Sequence, residues 1–401
     1  MDGQQIAAIS AAPRWCRTSR TIDVRIIRGG SSKGVFLDRE ELGEGVVDEP
    51  ILKLFGSPDR RQIDGLGGGD KLTSKVAVMG APTKPGCDLD YLFGQVSIEK
   101  PRIDWGSNCG NISAGAALYA ALVGAGEVRD EIAHLTLNQI NTGRRLKARV
   151  PLCDGLPATG GDFAIGGVPG TGARIDLDFA DFVGSCLGLG ALPTGCVRDR
   201  FRIPGLGPIE ASVVDMANLH IFVRAEDIGL DITATIFQLQ ADSALLARLE
   251  SIRKTVAADL DFIAGEAADE ELQVSMNPLV YALAPPIDYT ATNGERIESG
   301  RSDLCARSLS RSAFSKAYPG SGAVGTALAA GIQGSLVQEV CAARATCGEA
   351  YDLCIGHPGG TLSVTTLLTE SSGRGGEDVS VESCVLGRTA RLLMEGRAHI
   401  L

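Results

Sequence analysis

The chain first alternates polar and apolar positions at Ile22-Asp23-Val24-Arg25-Ile26-Ile27-Arg28. That period of two predicts a half-buried strand, closed by the turn-forming run Gly29-Gly30-Ser31-Ser32-Lys33-Gly34. The apolar runs Val76–Met79, Leu92–Ile98 and Ile132–Leu137 read as further short strands. Between the last two lies a segment of another kind. Asn111-Ile112-Ser113-Ala114-Gly115-Ala116-Ala117-Leu118-Tyr119-Ala120 has no polar face, and its residues are thin enough for a helix packed on every side. After Gly160 the chain is rich in Gly and Pro as far as Pro204-Gly205-Leu206-Gly207-Pro208, which predicts a domain boundary. Strands resume at Ile209–Val214 and Leu219–Arg224. Ile236, Leu239, Leu245, Leu246, Leu249 and Ile252 then form the apolar stripe of a helix over 236–257. Val280–Leu283 reads as a strand stopped by Pro285-Pro286, 303–317 as a helix, and Leu362–Leu368 and Val379–Leu386 as closing strands.

The all-round apolar helix recurs. Shifted by 210 positions, Gly110 matches Gly320, Gly115 matches Gly325, Ala117 matches Ala327, Leu118 matches Leu328 and Ala120 matches Ala330. Two such helices half a chain apart predict a duplicated α+β architecture, each half a curled β-sheet around one central helix. The expected division is a tail at 1–20, a first domain at 21–204 and a second at 205–401. Helix starts carry free N–H groups that bind anions, so two starts facing one inter-domain cleft would grip an anion from both sides.

Composition narrows the partners. A chain of 401 residues supports about two cores. Its net charge of −11 argues against nucleic acid or an anionic membrane surface, and no stretch approaches the ~18 apolar residues of a bilayer span. An acidic protein that binds an acidic metabolite must gather cations locally, and Arg28, Lys33, Lys71 and Lys75 all fall in the glycine-rich first quarter. The 11 cysteines include no CxxC pair, and the cluster Cys341, Cys347, Cys354 matches no zinc spacing. No metal is expected; free thiols in a reducing compartment, the cytoplasm, are. Arg14, Arg17 and Arg20 make a weak mitochondrial-type signal, set against a disordered tail.

Four polar clusters could carry chemistry. Arg28–Gly34 lacks nucleotide-loop spacing, yet its N–H nest, the Ser31 and Ser32 hydroxyls and Lys33 suit a carboxylate. In the run from Gln62 to Lys75, Gly69 brings backbone close to a ligand, Ser74 adds a hydroxyl, and Lys75 opens an apolar strand. Burial there favours the neutral amine that a general base needs, though a snorkelling surface lysine fits the pattern equally well. In Asn108-Cys109-Gly110-Asn111 the asparagines can cap the helix, and the helix field favours a thiolate; the bland alternative is a buried small hydrophobe. Gly356-His357-Pro358-Gly359-Gly360-Thr361 is a tight turn holding one of four histidines, a setting more often structural than functional.

These strings, with Gln62-Ile63-Asp64-Gly65, Thr73-Ser74-Lys75 and Asp90-Tyr91-Leu92-Phe93-Gly94-Gln95-Val96, resemble the PrpF-type 2-methylaconitate isomerases over most of residues 21–370. Relatives of that family include aconitate, methylitaconate and oxalomesaconate isomerases. The resemblance implies a diaminopimelate epimerase-like fold with the site between two similar domains. It also implies cofactor-independent proton transfer on an unsaturated tri- or dicarboxylate, with the family's lysine on Lys75 and its cysteine on Cys109. Around these two, Arg28, Ser31, Ser32, Lys33, Gly69, Ser74, Asn108, Gly110, Asn111, Ser321, Gly322 and His357 are the candidate substrate contacts. Two departures matter. The position matching Cys109 is Pro319, which excludes a two-thiol racemase, and Ser315-Lys316-Ala317-Tyr318-Pro319 stands where relatives often carry paired histidines. Lys316 is therefore an added candidate contact, and the substrate's third substituent stays open. A decarboxylase or tautomerase on a related acid, or a non-catalytic tricarboxylate-binding protein, is the alternative. A homodimer is expected only by kinship.

Overall fold

Strand β1, Arg20–Gly29, changes face at a bulge between Ile26 and Ile27. Ile22 and Val24 pack into an outer core with Leu54 and Phe55, whereas Ile27 turns inward to the buried helix described below. The computed structural model describes residues 20–43, 47–263, 268–310, 312–342, 348–370 and 379–400. The targeting signal expected at Arg14 and Arg17 lies outside the described residues, as does Cys347; Arg20 is the first residue of β1.

The first half continues with β2 (Ser32–Asp38), β3 (Lys75–Gly80), β4 (Leu89–Val96), helix α1 (Gly110–Leu122), β5 (Ile132–Gln139), β6 (Arg144–Cys153) and β7 (Ile175–Asp178). The second comprises β8 (Asp199–Ile203), β9 (Gly207–Met216), β10 (Asn218–Arg224), α2 (Ile236–Ala241), α3 (Ser243–Asp259), β11 (Leu279–Ala284), β12 (Leu304–Ser310), α4 (Gly320–Gly331), β13 (Ala350–His357), β14 (Gly360–Glu370) and β15 (Val379–Arg388). The last strand, β16 (Ala390–Ile400), returns to pair with β1.

The pairing order reveals the duplication. From β1 to β6 successive neighbours run antiparallel, parallel, antiparallel, parallel, antiparallel. From β9 to β14 the sequence of orientations is the same. Each buried helix enters at the same place, α1 between β4 and β5 and α4 between β12 and β13. The halves join where β7 pairs with β15. β16 pairs with β1 as β8 pairs with β9, so each half borrows or supplies its outer strand across the chain's midpoint.

The boundary drawn at 204/205 therefore falls on the hairpin turn between β8 and β9, whose register runs from Asp199↔Ala211 to Ile203↔Gly207. Of the glycines and prolines that suggested a linker there, Pro204 and Gly205 make the turn and Gly207 and Pro208 open β9. We propose instead that the first unit comprises 20–178 with 390–400 and the second 199–388.

Every residue of α1 from Gly110 to Ala121 is buried, and so is α4 from Gly320 to Ala330. Glycine is required at the contact points. A Cβ on Gly115 would stand 2.6 Å from Phe36 Cζ of β2. The expected helix at 303–317 is instead β12 followed by the short strand Ala313–Phe314. Leu304 and Ala306 pack toward the inner core and Cys305 and Leu309 toward the outer one, so a strand covered on both faces shows no polar alternation. The expected helix over 236–257 is two helices. Asp242 ends α2 and its carboxylate accepts the Leu245 N–H at 2.9 Å, capping α3.

Candidate active site at the meeting of two helix starts

The starts of α1 and α4 abut. A Cβ on Gly110 would lie 3.0 Å from the Gly320 carbonyl carbon and from the Ser321 nitrogen, which is why both positions are glycine. Cys109 and Pro319 are the N-caps of the two helices, as the 210-residue shift predicts. Neither helix has an acidic residue in its first turn, so two positive helix ends converge unneutralised.

Beside them lies a cavity of about 40 Å³ lined by residues of both halves in matched positions. Ser32 opens β2 and Asn218 opens β10; Lys75 opens β3 and Leu279 opens β11. Cys109 faces Pro319, Gly110 faces Gly320, and Asn111 matches Ser321. One half thus supplies the reactive groups, and its repeat supplies apolar or hydrogen-bonding counterparts.

Lys75 is 3% exposed. Its Nζ donates to Gln95 Oε1 at 2.6 Å and lies 5.1 Å from the centroid of the Phe93 ring. Gln95 is the lysine's cross-strand neighbour, and its amide nitrogen donates to the Ser74 carbonyl at 2.9 Å, which turns the amide oxygen to the amine. Ser74 itself donates to Gln62 Oε1 at 2.6 Å, and the Gly69 N–H donates to the same oxygen at 2.9 Å. The Gln62–Lys75 run thus folds into a support for one amine, with Ser74 behind it.

Cys109 is half-buried, and its N–H donates to Asn108 Oδ1 at 2.7 Å. Asn218 clamps this start to the second half. Its Nδ2 donates to the Asn108 carbonyl at 2.9 Å and to Ser321 Oγ at 2.7 Å, and its Oδ1 accepts the Asn108 N–H at 3.1 Å. Two buried polar atoms here, Ser32 Oγ and Asn108 Nδ2, have no protein partner and belong to residues lining the cavity. Buried polar atoms seldom go unpaired, so each is a free donor for a bound anion.

The remaining candidates spread around this centre. Asn111 Nδ2 donates to Ser31 Oγ at 3.0 Å, next to a small hollow that also includes His357. Arg28 does not line the cavity: its Nη1 donates to the Gly30 and Thr389 carbonyls and the Thr389 hydroxyl at 2.9 to 3.0 Å, locking the turn between β15 and β16. Lys33 and Gly322 also do not line it; a Cβ on Gly322 would collide with Tyr281. Gly69 and Lys316 line an outer vestibule of about 590 Å³. There Lys316 Nζ meets Asp70 at 2.9 Å, and Lys71 Nζ reaches the Ala313 carbonyl at 3.0 Å, both across the cleft. A larger hollow of about 640 Å³ lies against β5, β6 and β7, far from these groups. Its Arg149–Asp176 and Glu127–Arg129 charges pair with each other, and it shares no lining residue with either cleft cavity.

Gln95, Phe93 and Asn218 are residues of the candidate site to which the sequence pattern gave no role, whereas Lys71 is one of the first-quarter cations it singled out. Gln95 was reachable, since a strand pairing with β3 puts a residue opposite Lys75. Asn218 was not, because only the fold brings a hairpin of the second half to the start of α1. Among the described residues no group of three or more His, Cys, Asp or Glu side chains is placed to hold a metal.

The PrpF protein family matches residues 19–401. The chain belongs to the PrpF family. It is 38% identical to a 3-methylitaconate isomerase of Eubacterium barkeri over 94% of this chain and 96% of that one. It is 34% identical to a 2-methyl-aconitate isomerase of Shewanella oneidensis, over 93% of this chain and 95% of the other. A crystal structure of methylitaconate-delta-isomerase superposes with a TM-score of 0.77 at 37% identity, covering 95% and 96% of the two chains. A hydroxyproline epimerase from Agrobacterium vitis shares the fold alone, with a TM-score of 0.56 at 12% identity over 95% and 93%. This PrpF protein accordingly has the diaminopimelate epimerase-like fold and is an isomerase. No described helix of it is long and apolar enough to cross a membrane.

Proposed function

We propose that this PrpF protein isomerises an aconitate-like unsaturated tricarboxylic acid without a cofactor, by removing and returning an allylic proton. The observation that carries the reading is the convergence of Lys75 and Cys109 on one cavity beneath two unneutralised helix starts.

In an aconitate the methylene between a carboxylate and the double bond is allylic. Lys75, as the neutral amine, takes its proton and becomes an ammonium. The electron pair spreads through the double bond into the carboxylate as a dienolate. Proton return at the far carbon moves the double bond; rotation before return exchanges cis for trans. Cys109 is the second acid/base or a substrate contact, and Gln95 holds the lysine in line. The growing negative charge meets the N–H groups of Gly110, Asn111 and Ser321 together with Ser32 Oγ and Asn108 Nδ2, donors fixed before the reaction begins. Relatives are named for methylaconitate and methylitaconate, and the substituent this chain accepts is set by the loop from Ser315 to Pro319.

The test is incubation with cis-aconitate in D2O, followed by proton NMR. A double-bond isomer carrying deuterium is expected, and Lys75→Ala should lower its rate by about 10²- to 10⁴-fold with little change in binding. Loss of a carboxyl group would identify a decarboxylase instead. Binding without exchange, for this acid and for 2-methyl-cis-aconitate, would identify a carrier.

A further inference from the structure

On the far side of Asn111 from the central cavity lies a buried cation that the proton transfer leaves unused. Arg388, the last residue of β15, is 2% exposed. Its Nε donates to Asn111 Oδ1 at 3.0 Å and its Nη1 to the Gly387 carbonyl at 3.1 Å. No carboxylate pairs with it among the described residues, and its Nη2 has no hydrogen bond. Burial pulls its pKa down to about 10, partly offset by Cys109. A guanidinium held out of water without a counter-ion is costly unless an anion arrives to meet it.

The groups around it are those an anion would need. Arg388 shares a small hollow with Ser31, Asn111, Gly166, Tyr318 and His357. His357 is buried, its Nδ1 accepts the Gly359 N–H at 3.0 Å, and the neutral ring's proton also has the Thr361 carbonyl within reach. A Cβ on Gly166 would stand 3.0 Å from His357 Nε2, so the turn at Gly166 and Gly167 roofs the hollow. Arg28, through the Thr389 carbonyl and hydroxyl, fixes the residue after Arg388. The strings that bear the family resemblance at Arg28–Gly34 and Gly356–Pro358 thus meet around one buried cation.

We propose that Arg388, with Ser31, Asn111 and His357, forms a buried carboxylate subsite that takes the third carboxylate of a tricarboxylic substrate, the other two lying at the helix starts. This rests on the reading of the cleft as an acid isomerase. Asn111 lines both the central cavity and the Arg388 hollow, so one substrate can bridge them. The hollow is about 10 Å³ as it stands, so the subsite requires the turn at Gly166 to give way as the carboxylate enters. Arg388 thereby selects tricarboxylates over their dicarboxylate analogues.

Calorimetric binding of trans-aconitate and of the dicarboxylate mesaconate to the full-length protein and to Arg388→Gln tests this. Trans-aconitate affinity should fall by about 10- to 100-fold and mesaconate affinity by less than about threefold, with Arg388→Lys recovering part of the tricarboxylate preference. Equal weakening of both acids in a variant that melts like the parent would assign Arg388 a packing role and overturn the subsite. So would a parent protein that binds trans-aconitate no better than mesaconate. Should Arg388→Gln fail to fold, Ser31→Ala removes a half-buried hydroxyl of the same subsite and must show the same bias toward tricarboxylate loss. The isomerase reading is judged separately by deuterium exchange in the parent protein, so binding bias without turnover leaves the subsite standing while the isomerase fails.

Discussion

His220 and His357 show how far a residue's setting overrides its type. Both are completely enclosed. Burial lowers His220 to about 4 and, with Arg388 and Arg307 nearby, lowers His357 to about 3. Both are neutral in the folded protein at pH 7, and the unfolded chain takes up a proton at each near pH 6.5. Between pH 6.5 and about 4 the unfolded state therefore binds more protons, and stability falls as the pH is lowered through that window. Urea midpoints at pH 7 and pH 5 should show the loss, and His220→Gln should flatten it. A slope unchanged by that substitution would mean His220 does not titrate on unfolding. At this scale Lys75 and Cys109 could be singled out from the sequence, because a lysine opening an apolar strand and a thiol at a helix start are local patterns. Arg388 could not: nothing near it in the chain marks it as buried, since the enclosure comes from α1, the β1–β2 turn and the turn holding His357.

The two central helices were legible as elements because their composition has one physical explanation. A run of Gly, Ala and Ser with no polar face is only stable as a helix when strands surround it. Their mutual contact gives an expectation for Gly110→Ala. The methyl group meets backbone of the opposite helix, which has no flexible end to swing away. Destabilisation of about 1–3 kcal/mol is expected and, on the proposed reading, a drop in isomerisation larger than the melting shift explains, because the N–H groups of the two helix starts move apart. Thermal melts read beside turnover check this; a variant with parental stability and turnover would refute the contact. The pattern over β12 points to a helix for a reason of the same kind. Its residues feed two cores in alternation, so the polar signal that distinguishes strand from helix is missing, and only the neighbouring strands β11 and β13 reveal its state.

Across the whole molecule the two halves are less separable than a boundary at 204/205 suggests. β16 lies beside β1 over ten paired positions, and β7 lies between β6 and β15. A fragment ending at Pro204 leaves β1 and β7 each with an open edge and exposes the face of α1 that β16 covers. It should fail to give a cooperative melt, whereas the same fragment fused to residues 390–400 recovers part of one. A cooperative transition in the short fragment alone would show that the first half is an independent domain.

What the sequence by itself determined is the repeat, the two buried helices and the family, and it singled out Lys75 and Cys109 as candidates, since all of these are written in local composition and order. The tertiary structure alone decided that β16 pairs with β1, that β12 is a strand, and that Asn218 lines the cleft cavity while Arg388 is buried beside Asn111. Asn218 reaches Asn108 and Arg388 reaches Asn111 across more than 100 residues, as β16 reaches β1, whereas β12 is settled by the nearer strands β11 and β13 of its own half. No local pattern records such pairings, because they form only when distant strands of one half meet or when the second copy of the fold closes against the first.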